Sequence, residues 1–213
     1  MIDLHTHTLL SDGALLPSEL VRRAYVIGYK GIGLTDHADA SNIDFLVPRI
    51  VRAAKVLTSS KIKVVPGIEL THVPPKDLPA LVTYARANGI KLILIHGETI
   101  VEPVIPGTNA QALECDIDIL AHPGLITLKD AKTAARRGIH LEITTKNGHS
   151  LTNGHVVRIA TQAKAKLVIN TDSHNPGDLI TRNTAANVLI GCGLTVEQAK
   201  VVFANSSKLL RKL

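Results

Sequence analysis

The chain has no tryptophan, two phenylalanines, three tyrosines and two cysteines among its 213 residues. Each scarcity argues against a class of protein. Grooves that hold single-stranded nucleic acid usually stack bases on aromatic rings, and only Tyr25, Tyr29, Tyr84, Phe45 and Phe203 are available here. A small phosphorylated molecule is therefore the expected partner, ahead of nucleic acid. The net charge of +6 suits an anion of either kind. Cys115 and Cys192 stand far apart without a CxxC pair, which argues against a disulfide framework and for buried thiols in a reducing cytoplasm. No apolar run reaches the ~18 residues of a membrane helix. The first apolar run opens at Ile2, leaving no place for a cleavable signal peptide. A cytoplasmic protein with no membrane partner is expected.

Hydrophobic residues make up 45% of the chain, so the core is built from Val, Ile, Leu and Ala. Short apolar runs alternate with helical stretches. Strands are expected near 2–5, 31–35, 62–68, 91–95, 118–121, 139–143 and 166–171. Helices are expected near 17–28, 43–58, 77–88, 109–115, 129–137, 153–164, 181–190 and 195–204. Pro17 opens a helix, Gly28, Gly89 and Gly138 close others, and Thr195 with Gln198 forms a capping box. Alternating strands and helices imply parallel strands with right-handed crossovers. Nearly continuous apolar strands imply burial on both faces. Seven such units, with polar residues at each strand end, predict an α/β barrel formed by residues 1–213 as one domain.

Six of the ten histidines end these runs: His5, His7, His37, His96, His122 and His174. Glu69 and Asp172 end strands too, and Asp12 follows the first strand in Ser11-Asp12-Gly13. One histidine at a strand end is commonly a packing residue. The same event at the ends of most strands means convergence. His5 and His7, like Asp172 and His174, lie two apart and so point the same way from a strand. Nine nitrogen and oxygen ligands exceed what one four-coordinate ion needs. They suit two or three divalent transition metals such as Zn, Mn or Fe. Asp36, next to His37, is expected to orient an imidazole. His72 and His149 are placed near the mouth, and His140 reads as structural. Glu142 is either an outer acceptor at the site or a residue facing a helix.

The segments HTH at 5–7 with SDG at 11–13, TDH at 35–37, GIE at 67–69, His96, AHPG at 121–124 and TDSH at 171–174 resemble the polymerase and histidinol phosphatase (PHP) family. The resemblance covers essentially the whole chain. It implies a distorted seven-stranded (β/α)7, TIM-like barrel carrying a trinuclear metal centre. By that pattern His5, His7, Glu69 and Asp172 hold one metal. Glu69 bridges to a second, held also by His96 and His122, and Asp12, His37 and His174 hold the third. Some members carry histidine where this chain has Asp12, which leaves the third site's occupancy open.

The implied activity is hydrolysis of a small phosphomonoester, as in a histidinol-phosphate phosphatase, by a hydroxide shared between metals attacking phosphorus. Glu69, Asp172 and His174 are the expected catalytic residues. Lys146, after the run LEITTK, and His149 are expected to bind substrate, while Arg182 reads as a surface cation. Three alternatives stay open: a phosphodiesterase or nuclease, an amidohydrolase, which also opens with HxH, and a non-catalytic PHP scaffold.

Overall fold

A computed structural model describes residues 1–213. The strands are β1 (Ile2–Asp3), β2 (Gly31–Leu34), β3 (His37–Ala38), β4 (Lys63–Leu70), β5 (Leu92–His96), β6 (Ile119–Ala121), β7 (His140–Thr144) and β8 (Leu167–Asn170). All pairings are parallel, in the order β1-β2-β4-β5-β6-β7-β8, with the two-residue β3 also on β4. β3 continues the line of β2 after a break, so the expected seven strands are present as seven staves.

The first and last staves meet through a parallel bridge between Thr6 and Ser173. Across that seam His7 N donates to Ser173 O (2.8 Å) and Asp172 N to His5 O (2.9 Å). The result is a nearly closed α/β barrel. Eight helices surround it: α1 (Pro17–Val26), α2 (Ile43–Leu57), α3 (Leu78–Ala87), α4 (Thr108–Ala112), α5 (Leu128–Arg137), α6 (Asn153–Ala163), α7 (Arg182–Gly191) and α8 (Val196–Lys212). No helix is long and apolar enough to cross a membrane.

Of the boundaries that depart from the sequence reading, three have a clear local reason. β1 stops at Asp3 because side chains take over the ladder. Leu4 N donates to Asn170 Oδ1, and the Asp3 carboxylate accepts from Thr171 N and Oγ1. β4 runs on to Leu70 because β3 pairs with its upper end, His37 opposite Glu69. α8 is eight residues longer than the expected end at 204, having no glycine or proline to stop it. Its Leu209 and Leu210 enter the barrel from below.

Those two leucines join Leu4, Val65, Leu92, Leu94, Ile119, Ala121 and Val168 in a cluster filling the barrel interior. A separate cluster of 48 residues lies between strands and helices. Gly31 leaves room for the plug, since a Cβ there would run into the Leu210 side chain. Each fully buried leucine contributes about 1.5–3 kcal/mol.

Period-two alternation then lifts polar residues above this apolar floor. Val65 gives way to Glu69 up β4, Leu92 and Leu94 to His96 up β5, and Val168 to Asn170 and Asp172 above β8. Function is thereby set at the C-terminal ends of the strands.

Candidate metal centre

All nine candidate ligands converge at that upper mouth. His5 Nε2 lies 3.3 Å from Glu69 Oε2 and 3.7 Å from Asp172 Oδ1. His7 Nε2 lies 3.2 Å from Asp172 Oδ1 and 3.6 Å from Glu69 Oε2. On the other side of both carboxylates, His122 Nε2 is 3.5 Å from Glu69 Oε1 and 3.6 Å from Asp172 Oδ2. Glu69 therefore reaches two sides, as a bridging ligand must, and Asp172 does the same. His122 and His96 group with His149. His7, Asp12, His37 and His174 form another group, and His72 and His96 a further one with Glu102. Within it Asp12 Oδ2 is 3.1 Å from His174 Nε2 and 3.5 Å from His37 Nε2.

The unmet polar atoms test whether this set fits cations. Nine buried side-chain nitrogens and oxygens in the protein have no hydrogen-bond partner, and seven of them are here. They are His5 Nε2, both ring nitrogens of His7 and of His122, Glu69 Oε1 and Asp172 Oδ1. Leaving such a group unsatisfied costs about 1–3 kcal/mol each. Several orphaned imidazoles around two buried carboxylates is a donor set suited to transition-metal ions.

The backbone is bent to deliver two of these groups. Strand alternation from Ile119 and Ala121 would turn His122 away from the barrel, but its φ of +23° swings it inward. Asp172 sits at φ +53°. Both conformations are uncommon for residues with a Cβ, and strain of this kind concentrates at functional sites.

Outer contacts fix the rings. His5 Nδ1 pairs with Glu142 Oε1 at 2.9 Å, and Glu142 also accepts from Asn170 Nδ2 (2.7 Å) and His122 N (3.0 Å). Glu142 is thus an outer acceptor at the site and does not face a helix. His37 Nδ1 lies 2.6 Å from Thr71 Oγ1. Asp36 does not orient an imidazole as expected. It accepts from Thr8 N (2.7 Å), Ser11 N (3.2 Å) and both hydroxyls, ordering the loop that carries Asp12. Adjacent residues on a strand face opposite ways, and the face opposite His37 meets this loop.

The electrostatics separate the histidines. Burial would lower His5, but Glu142, Glu69 and Asp172 outweigh it and hold its pKa well above the ordinary value. Burial, aided by His37 and His5, pushes His7 down to about 3. Burial also opposes ionisation of Glu69 and Asp172, yet the surrounding imidazoles, His5 foremost, hold both below the carboxylate range.

Lys146 and His149 both reach the site. Lys146 Nζ contacts His174 Nδ1 and lies 3.4 Å from the Asp172 carbonyl. His149 is buried deeper than a mouth residue, its ring stacked on His122 with centroids 4.2 Å apart and its Nδ1 2.8 Å from Thr99 Oγ1. Arg182 stays away, its guanidinium over the Phe203 ring. His140 sits at the opposite end of the barrel, at the start of β7.

Sequence reasoning missed Glu102. Its carboxylate lies 3.1 Å from His72 Nε2, 3.2 Å from His96 Nε2 and 3.3 Å from His149 Nε2. It comes from the irregular segment between β5 and α4, where no periodicity marks it.

Comparison with known proteins agrees with this picture. The chain is 44% identical over 213 residues to an uncharacterised protein of Methanocaldococcus jannaschii, covering 99% of this chain and 98% of that one. It is 29% identical over 163 residues to ribonuclease P protein component 3 of Methanosarcina mazei, covering 73% of this chain and 62% of that protein. A chain in a cryo-EM structure of archaeal ribonuclease P with mature tRNA superposes with a TM-score of 0.73 at 19% identity, covering 98% of this chain and 90% of that one. The histidinol phosphate phosphatase of Lactococcus lactis, with zinc, L-histidinol and phosphate, superposes with a TM-score of 0.62 at 15% identity, covering 91% and 94%. The PHP domain matches residues 3–153, and the chain belongs to the PHP family, with the barrel and the converged ligand types of a metal-dependent phosphoesterase.

Proposed function

We propose that residues 1–213 act as one catalytic unit that hydrolyses a small phosphomonoester, in the manner of a histidinol-phosphate phosphatase. The observation that carries this reading is the set of seven unpartnered buried polar atoms on converging histidines and carboxylates. His5, His7, Glu69 and Asp172 would hold one divalent ion. Glu69, His96 and His122 would hold a second, and Asp12, His37 and His174 a third. Zinc, manganese and iron all suit such ligands. Bound there, the ions would supply a nucleophile at neutral pH and neutralise phosphoryl charge.

The protein's own groups do the rest. Glu69 and Asp172 each present oxygens to two sides, and so would be shared by the first two ions. Glu142 accepts a hydrogen bond from His5 Nδ1–H and leaves Nε2 to serve as a ligand. His174 stands between Asp12 and Lys146 and would help hold the third ion, next to the cation offered to phosphate. Lys146 offers a point charge to the non-bridging phosphate oxygens. His149, with Thr99 on its Nδ1, turns Nε2 toward the mouth, where it can donate to phosphate or to the leaving oxygen.

A second reading has its own support in the likeness to ribonuclease P component 3: action on, or assembly with, RNA. One experiment separates the two. Protein loaded in turn with Zn, Mn and Fe is assayed on phosphomonoesters including histidinol phosphate, on phosphodiesters and on oligoribonucleotides. The proposal expects metal-dependent hydrolysis with monoesters turned over fastest. Preferred cleavage of oligoribonucleotides would replace it with the second reading. No turnover with any metal would leave a scaffold.

A further inference from the structure

The barrel has a second polar mouth, at the N-terminal ends of the strands. A cavity of about 300 Å³ opens there beside the end of α8. Its lining includes His140, Lys166, Lys208 and Lys212, with Asp118 and Arg137 at the side. His140 begins β7 and shares the inward parity of Glu142, two residues higher. Lys166 immediately precedes β8, with the inward parity of Val168.

Two facts make this more than a scatter of surface lysines. The His140 imidazole is 8% exposed and its Nδ1 has no partner. It is one of only two such atoms outside the metal centre. The acids nearby are also engaged in ion pairs, two of them on one guanidinium. Asp118 Oδ2 pairs with Arg86 at 2.7 Å and accepts from Ile93 N, and Asp116 lies 3.3 Å from Arg86 Nε. Arg137 pairs with Glu114. Lys166, Lys208 and Lys212 have no ion-pair partner, and with Arg137 they give the lining four cations against the two carboxylates of Asp116 and Asp118, around a buried ring. Burial, aided by Lys166 and Lys212, outweighs the opposing Asp118 carbonyl and carboxylate and holds His140 below the ordinary imidazole pKa. The ring is therefore neutral near pH 7.

We propose that this lower mouth is a second binding site, for the phosphate group of a small anion, at the opposite end of the barrel from the metal centre. Flexible ammonium groups act as point charges on phosphate oxygens, and the His140 ring presents its unpartnered Nδ1 from the floor. The apolar plug of Val168, Ile119 and Leu209 separates the two sites. The ligand is either free phosphate or a phosphate borne on an ester.

The imidazole resonances of the zinc-loaded, histidine-labelled protein test this. His140 is assigned by its loss in His140→Gln. Inorganic phosphate, and separately methylphosphonate as a non-hydrolysable ester mimic, are titrated against chloride at equal ionic strength. The expected result is a saturable shift of the His140 resonance that chloride does not reproduce. The affinity should fall at least ~10-fold in Lys208→Gln/Lys212→Gln, two exposed positions whose change leaves the melting temperature and metal content intact. The ligand giving the tighter curve identifies the source. An unmoved His140 resonance, or equal affinity in the double variant, overturns the proposal, and neither outcome bears on the metal centre.

Discussion

His5 Nδ1 lies 2.9 Å from Glu142 Oε1, and both side chains are fully buried. This contact chooses the tautomer of His5 and aims Nε2 between Glu69 and Asp172. Glu142 accepts three hydrogen bonds in all. A glutamine has one carbonyl oxygen and an amide that only donates, so it must leave at least one donor facing a donor. Glu142→Gln should therefore weaken metal affinity about 10–100-fold, the usual cost of losing an outer partner. Chelator competition measures it, and an affinity equal to wild type would remove Glu142 from the ligand support.

Glu69 and Asp36 should separate cleanly. Glu69 reaches His5, His7 and His37 through one oxygen and His122 through the other. Glu69→Gln removes charge from two ion positions at once. Activity should fall beyond ~100-fold, the upper range for outer contacts, and elemental analysis should show ions lost. Asp36 only ties Thr8 and Ser11. Asp36→Asn should loosen the Asp12 loop and lower activity about 10-fold with the first two ions retained. Equal losses in the two variants would contradict this division.

The nine candidate ligands were visible in the sequence because each closes an apolar run or follows one directly, and a buried strand leaves few reasons for a polar end. The barrel was legible for the same reason, through the alternation of runs and helical stretches. What stayed hidden depends on contacts between distant segments. Glu102 lies in an irregular stretch, and only the fold brings it to His72, His96 and His149. Asp36 could not be told from an imidazole partner until the 8–11 loop was seen to fold over it. Cys192 is only half-buried, where a fully buried thiol was expected. The turn of His122 into the site needs a positive φ that no residue type announces. The extra turns of α8 follow from space beneath the barrel that Leu209 and Leu210 fill.

Metal binding should release protons, and the pH sense follows from the imidazoles. Burial acts to lower His5, His37 and His96. Their carboxylate neighbours outweigh it, and all three hold protons above the ordinary imidazole pKa in the metal-free protein. A cation must displace those protons. Affinity should therefore rise as pH increases from ~6.5 through the raised values. Calorimetry in buffers of different ionisation enthalpy counts the protons released. A release near zero at pH 7 would mean these rings are neutral before metal arrives. Chelation should also lower the melting temperature, since an ion present at ~1,000 times its Kd stabilises by about 4 kcal/mol.

The remaining prediction concerns Lys146. Its ammonium sits against His174 Nδ1 and the Asp172 carbonyl, at the edge of the ligand cluster and only half-buried. No carboxylate pairs with it, so its charge is available to an incoming anion. A phosphomonoester dianion carries more charge than a diester monoanion and should depend on it more. Lys146→Ala should therefore damage monoester hydrolysis by about 1–3 kcal/mol, the range for a charged hydrogen bond, and diester hydrolysis by less. If the contact strengthens in the transition state, kcat falls. If it serves ground and transition states alike, KM rises alone. Removing the cation also leaves His174 Nδ1 with the Asp172 carbonyl as its partner (2.9 Å), so metal content should hold. Unchanged kinetics on every phosphate ester, with metal content intact, would show that the ions alone hold the phosphate and that Lys146 serves only to position His174.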